Sequence, residues 1–102
     1  MERYGKLVRD RIPAVVRENG ETPVFHAVEG EDYRRRLREK LVEEATEFRD
    51  DPSTEELADV VEVVEAIRAA EEVEDAALES KRRAKRDARG GFEEGIVLDR
   101  VE

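Results

Sequence analysis

Two carboxylate pairs, Glu44 with Glu47 and Glu56 with Asp59, are each spaced three residues apart. That separation sets two side chains on neighbouring turns of one helical face. Acids at this spacing are ordinary on a solvated helix, so what matters is which face they occupy. On a helical wheel of about 100° per residue with Tyr33 at zero, Tyr33, Leu37, Leu41, Ala45 and Phe48 form an apolar stripe over about 120°, interrupted by Glu44 and bordered by Glu47. Glu43 falls outside the stripe and reads as a supporting group. In the next segment Glu56 and Asp59 are flanked by Val60, Val63, Ala66 and Ala70, whereas Glu62 and Glu65 share an arc whose apolar content is Ala58 alone.

Carboxylates brought together from two helices repel. At 4 Å each pair costs about 1 kcal/mol in bulk water and about 4 kcal/mol at an effective dielectric of 20. Such a cluster needs protons or a divalent cation. The chain has no cysteine and one histidine, His26, which sits in a strand-like run and reads as a strand residue rather than a ligand. A site made only of oxygen donors suits Mg²⁺, with Mn²⁺ as the alternative, and Mg²⁺ is commonly completed by waters and substrate phosphates. An acid-rich chain also sets carboxylates at its core edge against arginine, and spacing alone leaves both readings open.

The elements that must position these groups follow from periodicity and punctuation. Pro13 opens a short helix through Val15 and Val16, which Asn19-Gly20 ends. Thr22 to Val28 is β-branched and aromatic and reads as an edge strand closed by Gly30. Residues 31–49 form a long helix, broken by Asp50-Asp51-Pro52-Ser53. Ser53 and Glu56 make a capping box that starts a second helix rich in Leu57, Val60, Val61, Val64 and Ile67. The two would form a tight hairpin. A turn between Glu71 and Asp75 is required if a third helix, 75–89, packs back before Gly90-Gly91 ends it. The tail alternates weakly over 92–101 and is expected to pair with 22–28 as a two-stranded ribbon. The expected fold is therefore all-α, a helical bundle on a hairpin with a small β ribbon, in a single domain over 1–102.

With 28 acidic and 19 basic residues the chain carries a net charge of -9, which opposes binding to polymeric nucleic acid or an anionic membrane. No stretch approaches the length of a spanning helix, and the N-terminus lacks the apolar core of a signal peptide, so the cytoplasm is the expected compartment. A domain this short buries a modest fraction of its surface, and self-association, as a homodimer or higher homo-oligomer, would help it.

The signatures Glu43-Glu44-x-x-Glu47 and Glu56-x-x-Asp59 on successive helices resemble the EExxE and ExxD motifs of the all-α nucleoside triphosphate pyrophosphatase superfamily. That superfamily includes MazG, dimeric dUTPases and phosphoribosyl-ATP pyrophosphohydrolase. Lys6-Leu7-Val8-Arg9-Asp10-Arg11-Ile12-Pro13, Lys81 and Arg89-Gly90-Gly91-Phe92 look like the house-cleaning branch, so the resemblance runs over nearly the whole chain. It implies a MazG-like bundle and Mg²⁺-dependent hydrolysis of a noncanonical nucleoside triphosphate to monophosphate and pyrophosphate. Carried over, Glu44, Glu47, Glu56 and Asp59 take the metal-ligand positions, and Glu47 or Glu43 accepts the proton of the attacking water. One departure is the short spacer of eight residues between Glu47 and Glu56, which leaves base recognition open.

Lys6, Arg9, Lys81, Arg89, Gly90 and Gly91 are candidate substrate contacts: the cations for the phosphates, the glycines for a backbone cradle. The competing readings are a local ion-pair lattice of the N-terminal cations around Asp10, a solvated basic helix face and a plain helix cap. Tyr4, Leu7, Phe48 and Phe92 are the apolar candidates for the base. Phosphoribosyl-ATP pyrophosphohydrolase is the alternative enzyme. An acidic helical interaction module without catalysis is the alternative from another class, and it predicts no magnesium dependence.

Overall fold

The computed structural model describes residues 5–102, so Tyr4 lies outside the described residues. Four helices account for the regular structure: α1 Ile12–Glu18, α2 Gly30–Asp50, α3 Thr54–Ala70 and α4 Asp75–Arg89. The chain is all-helical in its described part. Pro13 lies in the first turn of α1, and Gly20, at φ 85°, follows its C-cap Asn19. Asp51-Pro52 breaks the chain between α2 and α3. The Ser53 hydroxyl then caps α3 by accepting from the Glu56 N–H at 3.1 Å.

Only α2 and α3 make an extensive helix–helix interface among the described residues. Leu37 of α2 and Val63 of α3, 3% and 8% exposed, are the buried apolar residues, with Tyr33, Leu41, Phe48, Val60, Ala66, Ile67 and Ala70 half-buried around them. The wheel stripe on α2 therefore faces inward, apart from Ala45, which is exposed. On α3 the inward stripe is Val60, Val63 and Ile67. Leu57, Val61 and Val64 form a second apolar line that stays 48%, 60% and 41% exposed.

The turn into α4 is built without glycine. Glu72 N–H donates to Ala69 O and Val73 N–H to Arg68 O, both at 3.1 Å, the two bonds of a Schellman motif. Glu72 occupies its left-handed position at φ 58°. Helix α4 then begins where expected but does not pack back, since none of its residues is buried. The radius of gyration, 17.9 Å, exceeds the roughly 13 Å of a compact domain of this length.

The expected β ribbon is not formed. Neither 22–28 nor 92–101 is a strand, and no strand occurs among the described residues. Val24 is 98% exposed and Ile96, Val97 and Leu98 are 80%, 79% and 77% exposed. β-Propensity is expressed through neighbouring strands and burial, and an isolated two-stranded pairing is marginal in water. Phe25 is instead engaged by Arg17 of α1, whose guanidinium lies 5.7 Å from the ring centre.

Candidate metal centre

Glu44 takes a core position on α2, since Leu37, Leu41, Glu44 and Phe48 recur at spacings of four, three and four along the inward side. The helix period buries it whatever its charge. On α3, Glu56 and Asp59 lie in the same inward band as Val60 and Val63, and both are half-buried. Glu62 and Glu65 are exposed, as their arc of the wheel requires.

The hairpin turns these bands toward each other. Glu43, Glu44 and Glu47 place one carboxylate oxygen each within 4.8 Å of one another, and so do Glu44, Glu56 and Asp59. Glu44 belongs to both groups and joins them. It is 7% exposed. Its Oε1 meets Lys40 Nζ at 3.1 Å, while Oε2 is buried with no hydrogen-bond partner among the described residues, as is Oε2 of Glu56. The capping box is thus half made: Ser53 caps the helix, but no return bond from Glu56 to the Ser53 N–H occurs among the described residues, and the Glu56 carboxylate turns into the cluster.

Buried carboxylate oxygens without donors are costly, about 1–3 kcal/mol or more for a charged group. Three cations offset part of the charge. Lys6 pairs with Glu43, Lys40 bridges Glu43 and Glu44 at 3.1 Å each, and Arg9 Nη2 reaches Asp59 Oδ1 at 2.6 Å. Five carboxylates against three cations leave a local excess of two negative charges when all are ionised, which is the charge of one divalent cation.

The hydrogen bond from Lys6 holds Glu43 below the ordinary carboxylate value, against some burial and with help from Lys40. Glu47 is displaced the other way. A hydrogen bond to Glu44 that exists only while Glu47 carries a proton raises it first, followed by the Glu44 charge, desolvation and the charges of Glu56 and Glu43. Lys40 is pulled down by burial, but its bonds to Glu44 and Glu43 prevail and raise it.

The N-terminal cations do not form a lattice around Asp10. They cross 37 and 50 residues of sequence to Glu43 and Asp59, a partnership that local spacing gave no means of finding. Lys40 was likewise missed by sequence reasoning, although its i,i+3 and i,i+4 relation to Glu43 and Glu44 was a usable signal.

No family model and no solved structure matches the chain. It is similar to an uncharacterized protein of Mycolicibacterium smegmatis, 46% identical over 44 residues, which are 43% of this chain. The chain spans less than half the length of that relative, 45%.

The candidates Lys81, Arg89, Gly90 and Gly91 belong to α4 and its end, which makes no extensive interface with α2 or α3 among the described residues. Lys81 and Arg89 are exposed on α4 and enter no ion pair among the described residues. Gly90, at φ 85°, ends α4 by donating its N–H to Arg86 O at 2.7 Å. A Cβ on Gly91 would come within 2.2 Å of Arg86 Nη1 and 2.4 Å of Glu93 Oε2, so this glycine makes room for the Arg86–Glu93 ion pair at 2.6 Å. Leu7 and Phe48 are half-buried, and Phe92 is 98% exposed. No helix among the described residues is long and apolar enough to cross a membrane.

Proposed function

We propose that this chain is a MazG-like, magnesium-dependent nucleoside triphosphate pyrophosphohydrolase that clears noncanonical nucleotides. The reading rests on one observation: Glu44 and Glu56 each bury an oxygen that has no donor among the described residues, in a cluster that also contains Glu43, Glu47 and Asp59. A surface acid turns such an oxygen to water, and a core ion pair turns it to a cation. The resemblance of the two motifs to the pyrophosphatase superfamily supplies the reaction class.

The donor set fits Mg²⁺, or Mn²⁺ in its place: oxygen only and several carboxylates, the kind of site that waters and phosphate commonly complete. Glu44, Glu47, Glu56 and Asp59 would hold it. When bound, the ion polarises phosphate oxygens and offsets charge on the leaving pyrophosphate. Of the two carboxylates proposed to accept the proton of the attacking water, Glu47 is the better placed. It is exposed and has no cationic partner among the described residues, whereas Glu43 is held by Lys6 and Lys40. Glu43 would orient those two lysines at the edge of the site.

The exposed line Leu57, Val61 and Val64 on α3 favours a homodimer. A chain that buries only two apolar side chains among its described residues leaves most of its hydrophobic driving force unused, and a second copy on this line would bury it. Such a copy could also bring the basic face of α4, Lys81 and Arg89 with Gly90-Gly91, to the phosphates of the facing site.

The test is to incubate the purified protein with Mg²⁺ or Mn²⁺ and canonical, deoxy, oxidised and deaminated nucleoside triphosphates, with phosphoribosyl-ATP alongside, and resolve products by ion-exchange chromatography. Monophosphate with pyrophosphate is expected. Turnover of phosphoribosyl-ATP alone would move the assignment to that enzyme. Absence of turnover with either metal would favour the acidic interaction module.

A further inference from the structure

Residues 5–9, ahead of α1, are irregular, yet they reach the carboxylate cluster at two points. Lys6 pairs with Glu43 of α2 and Arg9 with Asp59 of α3, so one short stretch of chain spans both helices of the hairpin. Gly5 O adds a third tether by accepting from Arg36 Nη1 at 3.2 Å. Both cations are substantially exposed, 43% for the Lys6 side chain and 57% for Arg9. Their pairings are therefore weak in water and exchangeable. Lys40 differs, because it is 16% exposed and stands on α2 itself beside its acids, where it stays while the helix is intact.

We infer that Lys6 and Arg9 form an exchangeable cationic strap: they occupy Glu43 and Asp59 in the metal-free protein, give way when a divalent cation enters, and then engage the polyphosphate of the substrate. This inference rests on the metal reading above. The physical basis is competition for the same charge. Arg9 holds Oδ1 of Asp59, and Asp59 offers a carboxylate oxygen to the group with Glu44 and Glu56, so a cation drawing on Asp59 weakens the Arg9 bond by repulsion. A guanidinium released from Asp59 would remain beside the cluster, and its two parallel N–H donors match a phosphate held there. Entry of metal before nucleotide follows from this arrangement, and the strap keeps the empty cluster from repelling itself apart.

Isothermal titration of the 102-residue chain with Mn²⁺ alone tests the competition, using wild type, Arg9→Gln and Arg9→Lys. Removing the exposed ion pair with which Arg9 competes for Asp59 should tighten Mn²⁺ binding by about three- to fivefold in Arg9→Gln, while Arg9→Lys stays near wild type. Unchanged or weaker binding in Arg9→Gln overturns the strap. If neither wild type nor Arg9→Gln binds Mn²⁺, the metal reading itself falls, and the strap with it. Titration of the Mn²⁺-saturated proteins with inorganic tripolyphosphate tests the second half. Arg9→Gln and Lys6→Gln should each bind it about five- to tenfold more weakly, and equal affinity overturns the transfer to phosphate. Circular dichroism of each variant separates these outcomes from loss of fold.

Discussion

Glu44 of α2 and Glu56 of α3 face each other across the helical hairpin, with carboxylate oxygens within 4.8 Å and one oxygen apiece left without a partner among the described residues. Each is carried there by helical period: Glu44 stands where a leucine would continue the stripe of Leu37 and Leu41, and Glu56 precedes Val60 and Val63 on the inward side. The pair sits beside the only buried apolar contact region of the described residues. Its electrostatic cost therefore bears directly on the stability of the hairpin.

Replacing Glu44 by Gln should lower Mg²⁺-dependent turnover by about 100-fold or more, while Glu62→Gln stays within about twofold, because only the first changes a buried carboxylate in the cluster. The same pair should separate in melting experiments. Wild type and Glu62→Gln should gain stability with Mg²⁺, by about 2.7 kcal/mol at a concentration of 100 times Kd, and Glu44→Gln should gain little. Equal behaviour of the two variants in either assay would remove the argument from helix position.

Glu47 sets a pH dependence with a definite sign. Its carboxyl is raised in the folded chain above the ordinary value of 4.5, so its contribution to stability is fully present below that value and is lost as pH rises through the raised one. Glu47→Gln stays neutral throughout. In EDTA the variant and wild type should melt alike at about pH 4, and the variant should melt higher near neutrality. A difference that does not vary with pH would contradict the crowding of Glu47 by Glu44.

Glu72 occupies a left-handed backbone position at φ 58°, which disfavours a side chain by roughly 1–2 kcal/mol. Its carboxylate enters no ion pair among the described residues. Glu72→Gly should therefore raise stability by about 0.5–1 kcal/mol after the entropy cost of glycine, a gain of several degrees in thermal melting. Destabilisation would mean that the turn is held differently.

Val61, at the centre of the exposed apolar line of α3, is 60% exposed. Val61→Glu should leave helix content unchanged and shift the chain to monomer in sedimentation or light scattering, since a charge in a small apolar interface is left unpaired. A wild-type chain that is monomeric at all concentrations would rule out this interface.

What the sequence by itself determined was local and periodic. Pro13 and Asn19-Gly20 bounded α1, Asp51-Pro52 with the Ser53 cap divided α2 from α3, and Gly90 ended α4, because each acts through backbone geometry within a few residues. The wheel also separated Glu44, Glu56 and Asp59 from Glu62 and Glu65, since position on a helix is set by 100° steps. Tertiary structure decided the rest. Helix α3 has two apolar lines, and only packing against α2 selected Val60, Val63 and Ile67 over Leu57, Val61 and Val64. The 22–28 and 92–101 segments had the composition of strands but, among the described residues, no neighbouring strand to supply hydrogen bonds. Lys6 and Arg9 found Glu43 and Asp59 rather than the adjacent Asp10, because the hairpin concentrates negative charge at a point no sequence interval measures.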